Sequence, residues 1–255
     1  MHHQYFGNTK IKVSPLGLGT VKFGRNQQVK YPQSFELPSD KEILDLLALA
    51  QDYDLNLLDT SPAYGASLTR LGKLLKNRQN WVIVSKAGEI FENNQSRFDF
   101  SYQGTIDSVK QQLKILKTDY LDVVMIHSNG QDCEILQKEG ISQALFDLKQ
   151  QGWIRAHGIS GKTVAGGLQA LELFDSAMVT CNLEYNDELA VLEKAQQKNK
   201  GILIKKGLLS GHLKKYGVEK AIQFIFQQPA VSSLIAGTIN PQHLIENIKI
   251  VQAQF

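Results

Sequence analysis

A chain of 255 residues with 28 basic and 25 acidic side chains carries a net charge of only +3 and no block of like charge. It therefore offers no basic stripe for nucleic acid; Lys205-Lys206 and Lys214-Lys215 come nearest, and the second reads as a solvated pair. Two cysteines, Cys133 and Cys181, form neither a CxxC nor a Cys/His set, which excludes a disulfide scaffold and a cysteine-ligated metal and points to a reducing compartment, the cytoplasm.

Met1–Lys10 lacks the apolar core of a secretion signal. Runs such as Val123-Val124-Met125-Ile126 fall far short of the roughly 20 residues of a membrane span. Tyr5–Val13, around the turn signal Gly7-Asn8, reads as a β-hairpin ahead of the periodic part of the chain. From Leu16 onward, short apolar runs alternate with longer amphipathic ones. Strands are expected at Leu16–Gly19, Leu55–Asp59, Trp81–Ser85, Leu121–Ile126, Ile154–Ile159, Met178–Asn182, Gly201–Ile204 and Val231–Ala236. Helices are expected near residues 39–53, 67–77, 104–117, 134–151, 162–174, 187–199, 217–227 and 241–252. Ile43, Leu46, Leu47 and Ala50 set the helical period of the first, and Ser39, Thr105 and Asn240-Pro241 read as helix starts. Parallel strands need crossover helices, and eight such units fill the chain. That count fits a closed (β/α)8 TIM barrel better than an open sheet, as one domain over residues 1–255.

In such a barrel the chemistry belongs at the C-terminal strand ends. Asp59, Lys86 and His127 each follow an apolar strand, where an unpaired charge is costly. Tyr64 lies just beyond Asp59, between Pro62 and Gly65, which mark a turn able to swing a phenol over the barrel mouth. Leu58-Asp59-Thr60-Ser61-Pro62-Ala63-Tyr64-Gly65, Ser85-Lys86 and His127 resemble the Asp-Tyr-Lys-His tetrad of the aldo-keto reductases. Further matches run through Gly17-Leu18-Gly19-Thr20, residues 152–160, Glu184-Tyr185-Asn186, Gly237-Thr238 and Glu246-Asn247.

The resemblance implies an oxidoreductase that uses NADP or NAD to interconvert a small-molecule carbonyl and its alcohol. Tyr64 would be general acid and base, with Lys86 lowering its pKa, Asp59 holding Lys86, and His127 orienting the substrate oxygen. Gly19, Thr20, Asp59, Ser160, Asn182 and Lys205 would meet the nicotinamide end of the cofactor. Leu208, Ser210, Gly237, Thr238, His243 and Asn247 would meet its pyrophosphate and adenosine.

Departures from the family pattern at five positions concern the cofactor. Asn182 stands where many members have Gln, and Gly161 where Asn is common. Lys205 replaces a ring that stacks on the nicotinamide. Gly237 and His243 replace a Lys and an Arg that clamp the 2′-phosphate of NADPH, so neither supplies a fixed positive charge. No P-loop and no GxGxxG after a strand offers another nucleotide site.

Two long loops, residues 21–38 and 87–103, bring Phe23, Phe91 and Phe98 as an expected apolar wall beside Tyr64 and His127. Two rival readings are a cofactor-binding redox sensor with residual catalysis and a lyase using Lys86 as a Schiff base. Pairing with Asp59 would keep Lys86 charged and a poor nucleophile, against the lyase.

Overall fold

The computed structural model describes residues 1–138, 140–212 and 216–255; the pair Lys214-Lys215 lies outside the described residues. The chain opens as expected with an antiparallel hairpin, β1 (Gln4–Tyr5) and β2 (Lys12–Val13). Gly7 turns it at φ 57°, and a Cβ there would lie 2.3 Å from the Gly201 nitrogen, so only glycine fits. Phe6, Ile11 and Val13 are buried and pack on Leu57, Val84, Val123, Met125 and Leu203 inside the barrel. The hairpin thus plugs the barrel's N-terminal end.

The apolar runs become strands buried on both faces, as parallel sheets require. With the partly exposed β6 and β7 between them, the strands after the hairpin are, in chain order, β3 (Leu16–Gly19), β4 (Leu57–Asp59), β5 (Val82–Ala87), β6 (Glu89–Glu92), β7 (Gln95–Phe98), β8 (Leu121–His127), β9 (Ile154–Ser160), β10 (Ser176–Thr180), β11 (Gly201–Lys205) and β12 (Val231–Ala236). All but β6 and β7 join one closed parallel barrel, in which β12 returns to β3 with Leu234 opposite Leu16. Around it lie α1 (Asp40–Asp52), α2 (Ser67–Leu74), α3 (Tyr102–Leu116), α4 (Asp132–Lys138), α5 (Ile141–Gln150), α6 (Val164–Leu173), α7 (Leu189–Gln197), α8 (Val218–Phe226) and α9 (Pro241–Gln252). Among the described residues no helix is long and apolar enough to cross a membrane.

Local signals explain the boundaries. Ser39 caps α1 in a reciprocal box with Glu42, and the Asn240 side chain accepts from the Gln242 and His243 amides ahead of α9. Thr105 is not a helix start: Ser101 caps α3 by accepting from the Gly104 amide, and Thr105 donates its hydroxyl to the Ser101 carbonyl inside the helix. The expected helix over residues 134–151 is two, α4 and α5. Between them Gly140 lies so close to α3 that a Cβ would come within 2.6 Å of the Tyr102 nitrogen. The sixth barrel strand ends at Thr180, leaving Asn182 in a turn bridged to Tyr185. The loop expected over residues 87–103 contains the β6–β7 hairpin, turned by Asn93 and Asn94 at φ 51° and 59°.

Candidate active site at the barrel mouth

Because the eight barrel strands are parallel, their C-terminal ends share one rim. Asp59 closes β4, Lys86 lies at the end of β5 and His127 closes β8. Asp59 and Lys86 are buried, with exposures of 3% and 1%, where either charge alone would be strongly unfavourable. They satisfy each other. Lys86 Nζ donates to Asp59 Oδ1 at 2.5 Å and to the Thr60 carbonyl at 3.0 Å.

The link from β4 to α2 folds Tyr64 back over this pair. The Ser61 hydroxyl accepts from the Ala63 amide at 3.0 Å, and Gly65 takes φ 58°. The Tyr64 hydroxyl donates to Asp59 Oδ2 at 3.3 Å, while Lys86 Nζ lies 4.8 Å from the centre of its ring. Phenol and ammonium therefore meet through a shared carboxylate. Burial, followed by the charge and hydrogen bond of Asp59, pushes the Tyr64 phenol well above its usual range. This direction is opposite to the one expected from Lys86, because the phenol is buried and its hydroxyl bonds the carboxylate to which the ammonium is already committed. Tyr64 accordingly keeps its proton at neutral pH.

His127 completes the group, its ring edge-on to Tyr64 with centroids 6.2 Å apart. Its Nδ1 lies 2.9 Å from Glu89 Oε2 and 3.4 Å from the Ser61 hydroxyl. Glu89 begins β6, and the Ser96 hydroxyl on β7 donates to its other oxygen at 2.6 Å. Burial opposes ionisation of Glu89, but His127, Ser96 and Arg25 together hold its carboxyl down to about 2. Burial also leads in lowering the His127 pKa, aided by Lys86 and Lys205 and resisted by Glu89. Sequence reasoning missed Glu89. The available signal was Asn93-Asn94, a residue type that tolerates the positive φ of a two-residue hairpin turn.

Beyond the tetrad, Lys205 at the end of β11 donates to the Ser160 hydroxyl at 3.0 Å and to the Gly161 carbonyl at 2.5 Å. Burial, with Lys206 and Lys86 nearby, lowers its pKa to about 8 against the pull of Glu188 and Asp132. Asn182 is brought to the same rim, but its amide is already used by the chain. It accepts from the Glu184 and Tyr185 amides at 3.0 and 2.9 Å and donates to the Lys206 carbonyl at 3.1 Å. Thr20 is likewise structural, with its amide and hydroxyl both bonded to the Asp59 carbonyl at 2.9 and 3.0 Å.

Gly19 and Gly237 lie side by side; a Cβ on Gly19 would lie 3.0 Å from Ile235 Cγ2 and 3.5 Å from the Gly237 Cα. Segment 21–38 lies over them. The Tyr31 hydroxyl would be 2.6 Å from a Cβ on Gly237, and burial, together with the charge of Asp59, pushes this phenol up to about 12. Leu208 and Ser210 flank and enter the 3-10 turn Leu209–Gly211, with Ser210 at φ 53°. Thr238 and His243 lie near the start of α9, where the Thr238 hydroxyl accepts from the Asn240 amide at 3.1 Å and His243 is exposed. Asn247, on the inner face of α9, is 5% exposed, yet its carboxamide has no partner among the described residues.

The three aromatic candidates separate. Phe23 is fully buried in the core and lines no wall, because the 3-10 turn Val21–Phe23 points it inward. Phe91 stays at the rim with the Arg25 guanidinium 3.4 Å above its ring, and Arg25 donates to the Ala63 carbonyl at 3.0 Å, beside Tyr64. Phe98 is 37% exposed and leans on Phe100 at 5.8 Å. Phe23→Ala should therefore cost about 3–5 kcal/mol in urea unfolding, as core Phe truncations do. Phe91→Ala should leave stability nearly unchanged and raise KM for bulky aldehydes more than for small ones. Equal KM effects would show that the Phe91 ring only supports Arg25.

The sequence profile described as the aldo/keto reductase family matches residues 15–220. A Pseudomonas aeruginosa protein solved as a candidate aldo-keto reductase is 47% identical and superposes with a TM-score of 0.92, over 99% of this chain and 95% of that one. The Bacillus subtilis uncharacterized oxidoreductase YqkF is 25% identical over 100% of this chain and 92% of its own length. The L-galactose dehydrogenase of Arabidopsis thaliana is 28% identical over 83% of this chain and 66% of its own length. With a closed eight-stranded barrel, an Asp-Tyr-Lys-His group at its mouth and a profile match over most of its length, the chain belongs to the aldo-keto reductase family of oxidoreductases.

Proposed function

We propose that the chain, as a single barrel domain, interconverts a small carbonyl compound and its alcohol with a nicotinamide cofactor. The observation that carries this reading is the convergence of Tyr64, Asp59, Lys86 and His127 at one end of the barrel. When bound, the cofactor supplies hydride to the carbonyl carbon or receives it from the alcohol. Everything else falls to the protein. Tyr64 delivers a proton to the substrate oxygen as hydride reaches carbon and recovers it in the reverse direction. Asp59 and Lys86 hold the phenol in place, and the positive charge of Lys86 offsets negative charge as it develops on Tyr64. His127 bonds the same substrate oxygen and sets its orientation.

The residues between the tetrad and α9 suit a nicotinamide dinucleotide. Ser160 and Lys205 offer a hydroxyl and an ammonium, the Asn247 amide is free to bond, and the Tyr31 hydroxyl lies over Gly237 at the same rim. Thr238, Ser210 and Leu208 border the same strip, whereas Thr20 and Asn182 would act by shaping it. L-galactose dehydrogenase among the relatives makes an aldose hydroxyl a substrate to test.

The decisive experiment is absorbance at the reduced-nicotinamide band with a panel of aldehydes, ketones and aldoses. Turnover that disappears in Tyr64→Phe supports the reading. Tight cofactor binding without turnover of any of them favours a redox sensor, and borohydride trapping of substrate on Lys86 would favour the lyase.

Cofactor preference follows from Gly237 and His243. A charge-assisted contact to phosphate contributes about 1.5–3 kcal/mol, so losing two fixed cations removes most of an NADPH preference. NADH should be used with kcat/KM within about 30-fold of NADPH, a gap of roughly 2 kcal/mol. His243→Ala should narrow what gap remains. A preference beyond about a thousandfold, untouched by His243→Ala, would place the phosphate clamp on other cations.

A further inference from the structure

Resting on the oxidoreductase reading above, the geometry points to Glu89 as the positioning residue that holds His127 in its Nδ1–H tautomer. The neutral ring then meets the substrate oxygen with the lone pair of Nε2 and donates to that oxygen only as imidazolium. An ionised carboxylate can only accept, so the 2.9 Å contact between Glu89 Oε2 and His127 Nδ1 places a proton on Nδ1. The other Nδ1 neighbour, the Ser61 hydroxyl, is farther at 3.4 Å and already accepts from the Ala63 amide. Nε2 has no partner among the described residues.

Glu89 is built in rather than loosely placed. It begins a paired strand, opposite Phe98, and the Ser96 hydroxyl donates to its second oxygen at 2.6 Å. Held down to about 2, its carboxyl is ionised throughout the neutral range. The charged or titratable groups facing His127 are Glu89 from β6, Lys86 from β5, Lys205 from β11 and Tyr64 from the β4–α2 link. Burial and the two lysines drive the second proton off the ring; Glu89 favours keeping it. The balance lowers the His127 pKa, so at neutral pH the ring is neutral with its one proton on Nδ1.

The chemical consequence separates the two directions of the reaction. An alcohol hydroxyl can donate to Nε2, so neutral His127 suits the alcohol. An aldehyde or ketone oxygen only accepts, so it needs the imidazolium. Reduction should weaken above the His127 pKa, and oxidation should strengthen through the same pH.

The test is 15N NMR of histidine-labelled protein, with His127→Ala assigning the resonance among six histidines. The wild-type ring should show the Nδ1–H tautomer, and Glu89→Gln should lower the His127 pKa by about one unit or more, as loss of a contacting charge does. In wild type, kcat/KM for reduction should fall about tenfold per pH unit above that pKa, while the acid limb of oxidation ends at it. In Glu89→Gln neither limb should remain at the wild-type pH. A wild-type Nε2–H tautomer, or a His127 pKa unmoved in Glu89→Gln, overturns the assignment. Limbs that stay while the ring shifts overturn the role at the substrate oxygen. Should Glu89→Gln not fold, the wild-type tautomer alone decides. The expected tautomer with no turnover of any carbonyl or alcohol would sink the oxidoreductase reading and leave Glu89 in place.

Discussion

Tyr64→Phe lowers kcat for carbonyl reduction by about two to four decades, the span typical of a lost general acid, and leaves the cofactor dissociation constant nearly unchanged. The substitution removes one oxygen and no packing volume of consequence. What it deletes is the proton that Asp59 Oδ2 accepts at 3.3 Å. Asp59 keeps its ion pair with Lys86, so the barrel end is not left with an isolated charge. Because burial and Asp59 raise the phenol's pKa, wild-type Tyr64 is protonated across the neutral range, and this group should contribute no alkaline limb to reduction there. Single-turnover rates alongside fluorescence titration of the cofactor separate chemistry from binding. A variant retaining more than a tenth of the wild-type rate would assign the proton to another donor, with His127 next to be tested.

The second large effect belongs to the ion pair beneath Tyr64. Lys86→Met leaves the Asp59 carboxylate buried without its cation, and Asp59→Asn leaves the Lys86 ammonium without its anion. Removing one partner of a buried pair typically costs about 3–5 kcal/mol, so both variants should lose stability of that order in urea unfolding. Both should lose activity, and Lys86→Met at least as fully, since it removes the charge that offsets a developing phenolate. The double variant should be less destabilised than the two single losses added, because neither charge is then stranded. Additive losses would mean that each residue is held mainly by other contacts, such as the Thr60 carbonyl on Lys86. A fully active Lys86→Met enzyme would end this account of the tetrad.

Much of the fold was legible along the chain. The barrel depends on apolar runs such as Val231–Ala236, and helix starts such as Ser39 and Asn240-Pro241 are signals carried by a few consecutive residues. The positions of Asp59, Lys86 and His127 at one rim follow from strand ends alone, since parallel strands must end together. Thr105 misled for a local reason: Ser101, earlier in the chain, could cap the same helix and does.

Other features depend on which surfaces meet, and periodicity says nothing of that. Phe23 and Phe91 look alike as loop aromatics, but one three-residue 3-10 turn buries the first and a hairpin holds the second at the rim. Asn182 and Thr20 are expected from the sequence to meet the cofactor, yet their polar atoms bond the chain itself, because backbone groups at those strand ends needed partners. The direction of the Tyr64 pKa was decided by burial and then by contact: the phenol is enclosed and reaches Asp59, and Asp59 already holds Lys86. Glu89 is the clearest case. The Asn93-Asn94 pair signals a turn but not its partner, and only the folded β6–β7 hairpin brings the Glu89 carboxylate onto His127, 38 positions along the chain from it by their numbers. Local pattern determines which elements form; long-range packing determines which polar atoms remain free for chemistry.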